Sequence, residues 1–419
     1  MKHWIYLAVS LFVAASCTPG MKKEETKAAA IAQAGSDGKG TFAYDLAFLS
    51  KYDSVVELSG PAAKARIIVS PRMQGRVMTS TSGGLQGKSY GWVNYDLIQS
   101  GKFEPHINVF GGEDRFWLGP EGGQFSVFFK KNDPFDLTHW QTPAAVDTEA
   151  FQVVSYTIDR VELRKAIQLQ NYSGTQFQLR VERNIRLLSP TEISQVLGYK
   201  ITDSLQVVGF ESDNRITNTG KEGWKKSTGL LSIWILGMFN PSPATTIVIP
   251  FKEGSEKELG PAVNDAYFGN VPDDRLEVQN DVLFFKADGQ QRGKIGISPK
   301  RARRIIGSYD AKQGILTLVQ FNMPENADSY VNSMWEIQKE PYAGDVINSY
   351  NDGPTTPGGK PLGPFYELET SSPAVELQPG GSLSHIHRTF HFEGSIDELD
   401  KLSQATLGVS LQEIVKALL

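Results

Sequence analysis

Glu367 and Glu369 stand two apart in the short extended run Tyr366-Glu367-Leu368-Glu369-Thr370. Both therefore leave one face of a strand, while Tyr366, Leu368 and Thr370 leave the other. Paired carboxylates on one sheet face repel, which can lift one pKa into a range useful for proton transfer; two acids on a solvated face give the same spacing. His385, His387 and His391 share parity in a later run, opposite Ile386, Arg388, Phe390 and Phe392. An H-x-H pair can chelate a metal, with Glu369 as a possible carboxylate ligand, but a structural or ligand-contacting role is the reading adopted and no metal is assigned. Arg183 falls on the apolar parity of Val181 and Ile185, so it needs a carboxylate partner or a ligand. Glu113 and Arg115, two apart in Gly-Gly-Glu-Asp-Arg-Phe-Trp, are candidates of the same kind, and an internal ion pair is the alternative for all three. His106 lies five residues before Gly111, within loop reach of that segment.

The elements that must position these residues read as strands. Between Gln176 and Leu188, Phe177, Leu179, Val181, Ile185 and Leu187 alternate with polar residues, the signature of a half-buried strand. Similar runs occur at Phe125–Lys130, Val153–Ile167, Leu230–Phe239, Thr245–Phe251, Val282–Lys286, Gly314–Phe321 and Leu383–Phe392, separated by turn residues such as Asn240-Pro241-Ser242-Pro243. Many strands without alternating long helices predict antiparallel sheets packed face to face, a mainly β fold. Ser395-x-x-Glu398 and Ser410-x-x-Glu413 resemble capping boxes, so two short C-terminal helices should close one end of the sheets. Nothing in composition splits residues 41–419 into more than one domain.

A formal charge of -5 offers no field for a phosphate backbone, so nucleic acid is not expected as a partner. No GxGxxG, P-loop or CxxC points to a nucleotide or redox cofactor, and none is expected. The single cysteine speaks to location. Lys2 precedes an apolar run from Trp4 to Ala15, too short for a bilayer core of roughly 30 Å, which makes residues 1–16 a signal peptide. Ala14-Ala15-Ser16-Cys17 resembles the lipobox of bacterial lipoproteins, with Cys17 as the lipidated mature N-terminus. Residues 17–40 lack aromatics and read as a flexible tether. The expected location is the bacterial envelope, exported and lipid-anchored, with the outer membrane favoured and the side open.

Phe110-Gly111-Gly112-Glu113-Asp114-Arg115-Phe116-Trp117-Leu118-Gly119-Pro120-Glu121 resembles a segment found in uncharacterised members of the galactose mutarotase-like superfamily. Tyr366 to Thr370, the turn Leu377-Gln378-Pro379-Gly380 and the strand ending Thr389-Phe390-His391-Phe392 resemble the LET segment, PG turn and last strand of aldose 1-epimerases. Closer relatives are expected in a Bacteroidetes lipoprotein family. The resemblance implies an antiparallel β-supersandwich whose concave sheet binds a mono- or oligosaccharide, with Glu369 as general base. Glu367, Arg183, Glu113, Arg115, His106, His385, His387 and Trp335 are the expected substrate contacts. Trp92, Trp117, Trp140 and Trp224 also flank turns where a flat ring could stack on a pyranose, although most such rings are core. The chain departs from the epimerases at their two histidines. Phe110 stands at the first position, and no histidine lies between His139 and His385. Any acid must therefore come from another group. Two functions follow: a lipoprotein that acts on sugars by glutamate-based proton transfer, epimerase-like or lyase-like, or a non-catalytic glycan-binding lipoprotein.

Overall fold

The computed structural model describes residue 1 and residues 38–419, apart from 61–62, 326 and 356–357. The expectations for the signal sequence and Cys17, and for the tether up to residue 37, lie outside the described residues. The first part of the chain forms α1 (Phe42–Tyr52), β1 (Val56–Ser59), β2 (Arg66–Ser70), β3 (Arg76–Thr81), α2 (Tyr95–Ser100) and β4 (Arg115–Gly119). The middle forms β5 (Gln152–Tyr156), β6 (Arg160–Gln170), β7 (Gln176–Leu187), α3 (Pro190–Leu197), β8 (Gln206–Asn218), β9 (Ser232–Phe239), β10 (Thr245–Pro250) and α4 (Glu256–Leu259). Then follow β11 (Leu276–Val278), β12 (Val282–Lys286), β13 (Gly293–Ile297), β14 (Ile305–Asp310), β15 (Ile315–Phe321), β16 (Ile347–Asn351), β17 (Tyr366–Ser371) and β18 (Ser382–Glu393). Helices α5 (Ile396–Leu407) and α6 (Leu411–Lys416) end the chain.

All strand pairings are antiparallel. A ten-stranded sheet runs β11-β12-β10-β14-β15-β18-β8-β7-β6-β5, a five-stranded sheet runs β13-β16-β17-β9-β4, and β1-β2-β3 form a third. The two larger sheets pack face to face as a β-sandwich. Alternation decides which face goes in: along β7 every second residue from Phe177 to Leu187 is buried. Between the sheets, Ile247, Ile249, Phe285, Val319 and Phe321 meet Ile295, Ile347 and Leu368. Each such side chain contributes about 1.5–3 kcal/mol by leaving water.

Four expectations need adjustment. Phe125–Lys130 is not a strand: its backbone bonds scatter, Val127 donating to Pro120, Gln141 to Phe128 and Tyr172 to Ser126, so no neighbour runs alongside it. Val153–Ile167 is a hairpin, β5 and β6, broken at Thr157-Ile158-Asp159. The C-terminal helices do begin at Ser395 and Ser410, whose side chains accept from the backbone amides of Glu398 and Glu413. They cover the outer face of the large sheet rather than one end, since Leu399, Leu402, Leu411 and Ile414 pack on Val248, Phe284, Leu318 and Phe390. Helix α1 adds a helix that the sequence reading, with helices only at the C-terminus, did not include. Thr41 caps it, and it buries Phe42, Leu46 and Leu49 against Ile68 and Met78 of the small third sheet.

Candidate functional site

The five-stranded sheet turns one face to the core and the other to a cleft roofed by loops. Directly paired residues share a face, so the register fixes which side chains meet there. Glu369 pairs with Leu236 and Asn348, and Glu367 with Met238 and Tyr350. Arg115 pairs with Leu236, Trp117 with Trp234, and Lys294 with Tyr350. Four of the five strands therefore deliver two carboxyls, two cations and two indoles to one surface, and β16 adds Asn348 and Tyr350. The Gly-Gly pair ahead of β4 sets the position of Arg115. Gly111 has φ of +92°, and a Cβ there would lie 2.1 Å from the carbonyl oxygen of Trp92, so no other residue fits.

Glu369 is fully buried. Its Oε2 accepts a bond from Trp234 Nε1 at 2.9 Å and lies 3.4 Å from Lys294 Nζ, while its Oε1 is buried without a partner among the described residues. Glu367 Oε1 accepts from Arg115 Nη2 at 2.9 Å. Burial pushes the Glu367 carboxyl up to about 8, against the pull of Arg115 and with added repulsion from Glu369. The Coulombic pull of Arg115 is the smaller effect because the ion pair itself has lost its water. Glu121, two residues beyond the end of β4, is raised by burial, opposed by Lys294 and reinforced by Glu369; Trp335 gives it a hydrogen bond. Arg115 stacks its guanidinium 4.1 Å from the Trp117 ring centroid, and Lys294 Nζ lies 4.7 Å from that of Trp234. The cavity among these groups is small, about 70 Å³, with Arg292, Phe268 and Leu362 also on its wall. Chemically, the cavity wall carries a carboxyl, Glu367, raised to about 8, and beside it on the same strand face lies a buried carboxyl oxygen of Glu369 without a partner among the described residues.

The structure brings Glu369, Glu367 and Arg115 together here, with Trp335 directly behind Glu121. The other expected contacts lie elsewhere. Arg183 does point inward, but it sits fully enclosed between the sheets, bound to Asp114, to Asn214 Oδ1 at 2.8 Å and to the Gln74 carbonyl at 3.1 Å. Three acceptors around a fully buried guanidinium make it an internal ion pair. Glu113 turns away from the cleft to Ser80 Oγ (2.9 Å) and His391 Nε2 (2.8 Å), and His391 Nδ1 meets Thr317 Oγ1 at 2.9 Å. His106 Nδ1 donates to the Trp140 carbonyl at 2.7 Å, which pins the roofing loop. His385 and His387 are fully buried and share Thr370 Oγ1, each at 2.8 Å. Burial lowers both to about 3, with mutual repulsion adding for His385 and Arg183 for His387, so both are neutral. Because Thr370 and Glu369 leave opposite faces of β17, the H-x-H pair and Glu369 do not converge.

Trp234, Lys294, Glu121 and Arg292 were not anticipated as site residues. Trp234 stood in an apolar run that reads as core, and Lys294 was a lone charge in the strand Gly-Lys-Ile-Gly-Ile. The register of β13 against β16 sets Lys294 opposite Tyr350, in the row of Glu367, from where its Nζ reaches diagonally to Glu369 Oε2.

The model of a family described as "Family of unknown function (DUF6786)" matches residues 40–418. The chain belongs to this family. Among solved structures the DUF6786 chain is similar to a putative aldose 1-epimerase from Escherichia coli K12, at 14% identity over 82% of this chain and 99% of that one, with a TM-score of 0.47. A protein from Synechocystis sp. PCC 6803 gives 13% identity over 82% and 96%, also with a TM-score of 0.47. A galactose mutarotase-like protein from Lactobacillus casei ATCC 334 gives 11% over 81% and 100%, with a TM-score of 0.45. No curated protein matches the chain. At these values the functional reading rests on the geometry of the cleft.

Proposed function

We propose that this cleft binds carbohydrate and moves a proton on it, with Glu369 as base and the protonated Glu367 as acid. The observation that carries the reading is the buried Oε1 of Glu369, without a partner among the described residues and next along the strand face to a carboxyl whose pKa is raised to about 8. A carboxyl raised in this way suits the acid role and leaves the base role to its neighbour. Glu367 thereby supplies the acid that histidine supplies in the epimerases the sequence resembles. A glycan-binding protein without turnover is the second reading, favoured by Lys294, which holds Glu369 in an ion pair.

Calorimetry on a panel of mono- and trisaccharides tests the binding half. Wild type should bind at least one sugar, and Trp234→Phe, which removes the bond to Glu369 Oε2, should weaken that binding. A protein that binds none of the panel overturns both readings. We propose in addition that Cys17 carries lipid and anchors the protein to the bacterial envelope, a reading supported by the lipobox-like Ala14-Ala15-Ser16-Cys17.

A further inference from the structure

We infer that the sugar this cleft recognises is a uronate, inserted carboxylate first, and that the proton moved is the one on C5; this rests on the carbohydrate reading above. The first support is the balance of unsatisfied atoms. On the cavity wall, the buried polar atoms without partners among the described residues are Arg115 Nε and Nη1, Trp117 Nε1, Trp140 Nε1 and Arg292 Nε, all donors, while the unpartnered acceptor Glu369 Oε1 lies buried two residues on from the wall residue Glu367, on the same sheet face. A sugar hydroxyl brings a donor with every acceptor, whereas a carboxylate brings acceptors only. A donor-rich wall with one basic oxygen beside it is complementary to a carboxylate whose neighbouring carbon carries the hydrogen to be removed.

Charge points the same way. Arg115 is paired with Glu367 and Lys294 with Glu369. Arg292 makes no ion pair among the described residues, and its guanidinium lies 3.6 Å from the centroid of the Phe268 ring at the mouth. The remaining acid, Glu121, is occupied by Trp335 and raised by burial. With Glu367 holding its proton, the guanidinium groups of Arg115 and Arg292 are left to face a ligand's charge. Size is the third support. A volume of about 70 Å³ is that of roughly two waters and well below the several hundred of a site that encloses a whole small molecule. A planar carboxyl group and the carbon that bears it fit, while the ring stays at the mouth beside Phe268 and Leu362.

The chemistry then follows from position. With its charge offset by the guanidinium groups, the carboxylate acidifies the C5–H bond. Glu369 Oε1 takes that proton, and the C–H electron pair moves into the carboxylate to give an enediolate. Glu367, about 7 Å further along the strand by backbone rise, gives its own proton back to C5 from the other side. One proton leaves and one arrives, C5 inverts, and no oxidant or cofactor is consumed. Each glutamate then resets by exchange with water.

The test uses the full chain in D₂O with trisaccharides of glucuronate, galacturonate and mannuronate, their methyl esters and the neutral parent sugars. Calorimetry reads affinity, and NMR reads deuterium at C5. At least one uronate should bind about tenfold or more tightly than its ester, the factor expected of one charge-assisted hydrogen bond, and should gain deuterium at C5. Arg292→Gln, at a half-buried position where folding is checked by its melting temperature, should erase that preference. Esters and neutral sugars that bind as tightly as every uronate overturn the uronate assignment and leave the carbohydrate reading standing. Absence of binding throughout overturns both. A bound uronate that keeps its C5 hydrogen refutes the proton step.

Discussion

Replacing Glu367 by Gln should change how stability depends on pH, and the sign can be worked out beforehand. The Glu367 carboxyl has an ordinary value of 4.5 and is raised to about 8 in the fold, first by burial and then by Glu369 against the pull of Arg115. Between those values the folded state holds a proton that the unfolded chain has released. The unfolded state binds fewer protons, so stability falls as pH rises through that window and levels off above about 8. At about 1.4 kcal/mol per pH unit, the full window costs at most about 5 kcal/mol, and the step from pH 5 to pH 7 about 3 kcal/mol. Gln cannot titrate, yet its Oε1 still accepts from Arg115 Nη2. The Glu367→Gln protein should therefore gain on wild type as pH rises, whatever the other acids do. Urea unfolding midpoints at pH 5, 6, 7, 8 and 9, on both proteins, measure the difference. Parallel curves would show that Arg115 keeps Glu367 ionised, and with that the acid of the proposed chemistry is lost.

Asp114→Ala leaves the Arg183 guanidinium enclosed with only neutral acceptors and should cost about 3–5 kcal/mol in urea unfolding; Asp114→Ala with Arg183→Met should recover most of it. A loss below about 1 kcal/mol would mean water reaches that ion pair. Cys17→Ala should abolish labelling by a clickable fatty acid in cells, because no other thiol exists in the sequence. Label that persists would end the lipoprotein reading.

Much of the sandwich was legible in the sequence: β7 from burial that follows a period of two, and β12, buried on both faces, as a short continuous apolar run. Phe125–Lys130 misled because an apolar run under a roofing loop has the same composition as a strand; only its lack of a hydrogen-bonded neighbour separates them. Helix α1 and the capping box at Ser189 and Glu192 carried ordinary start signals, Thr41 in the first case and Pro190 after Ser189 in the second. In the cleft, Glu367 and Glu369 were readable from parity within one strand. Lys294, Trp234 and Arg115 depend on the register between strands far apart in sequence, which parity does not give. Arg183 shows the limit from the other side: parity put it inside, but whether a ligand or Asp114 would meet it depended on where β4 lies against β7 and β8.

The most direct measurement is proton exchange on a bound sugar, followed by NMR in D₂O for wild type and Glu369→Gln. Gln keeps the bond to Trp234 but cannot accept a proton, so exchange should fall by at least about 10²-fold, the usual contribution of a general base, while calorimetric affinity stays within an order of magnitude. Exchange that continues undiminished in Glu369→Gln would contradict the assignment of the base, and a sugar that binds both proteins without exchange in either would leave a glycan-binding cleft and no catalyst.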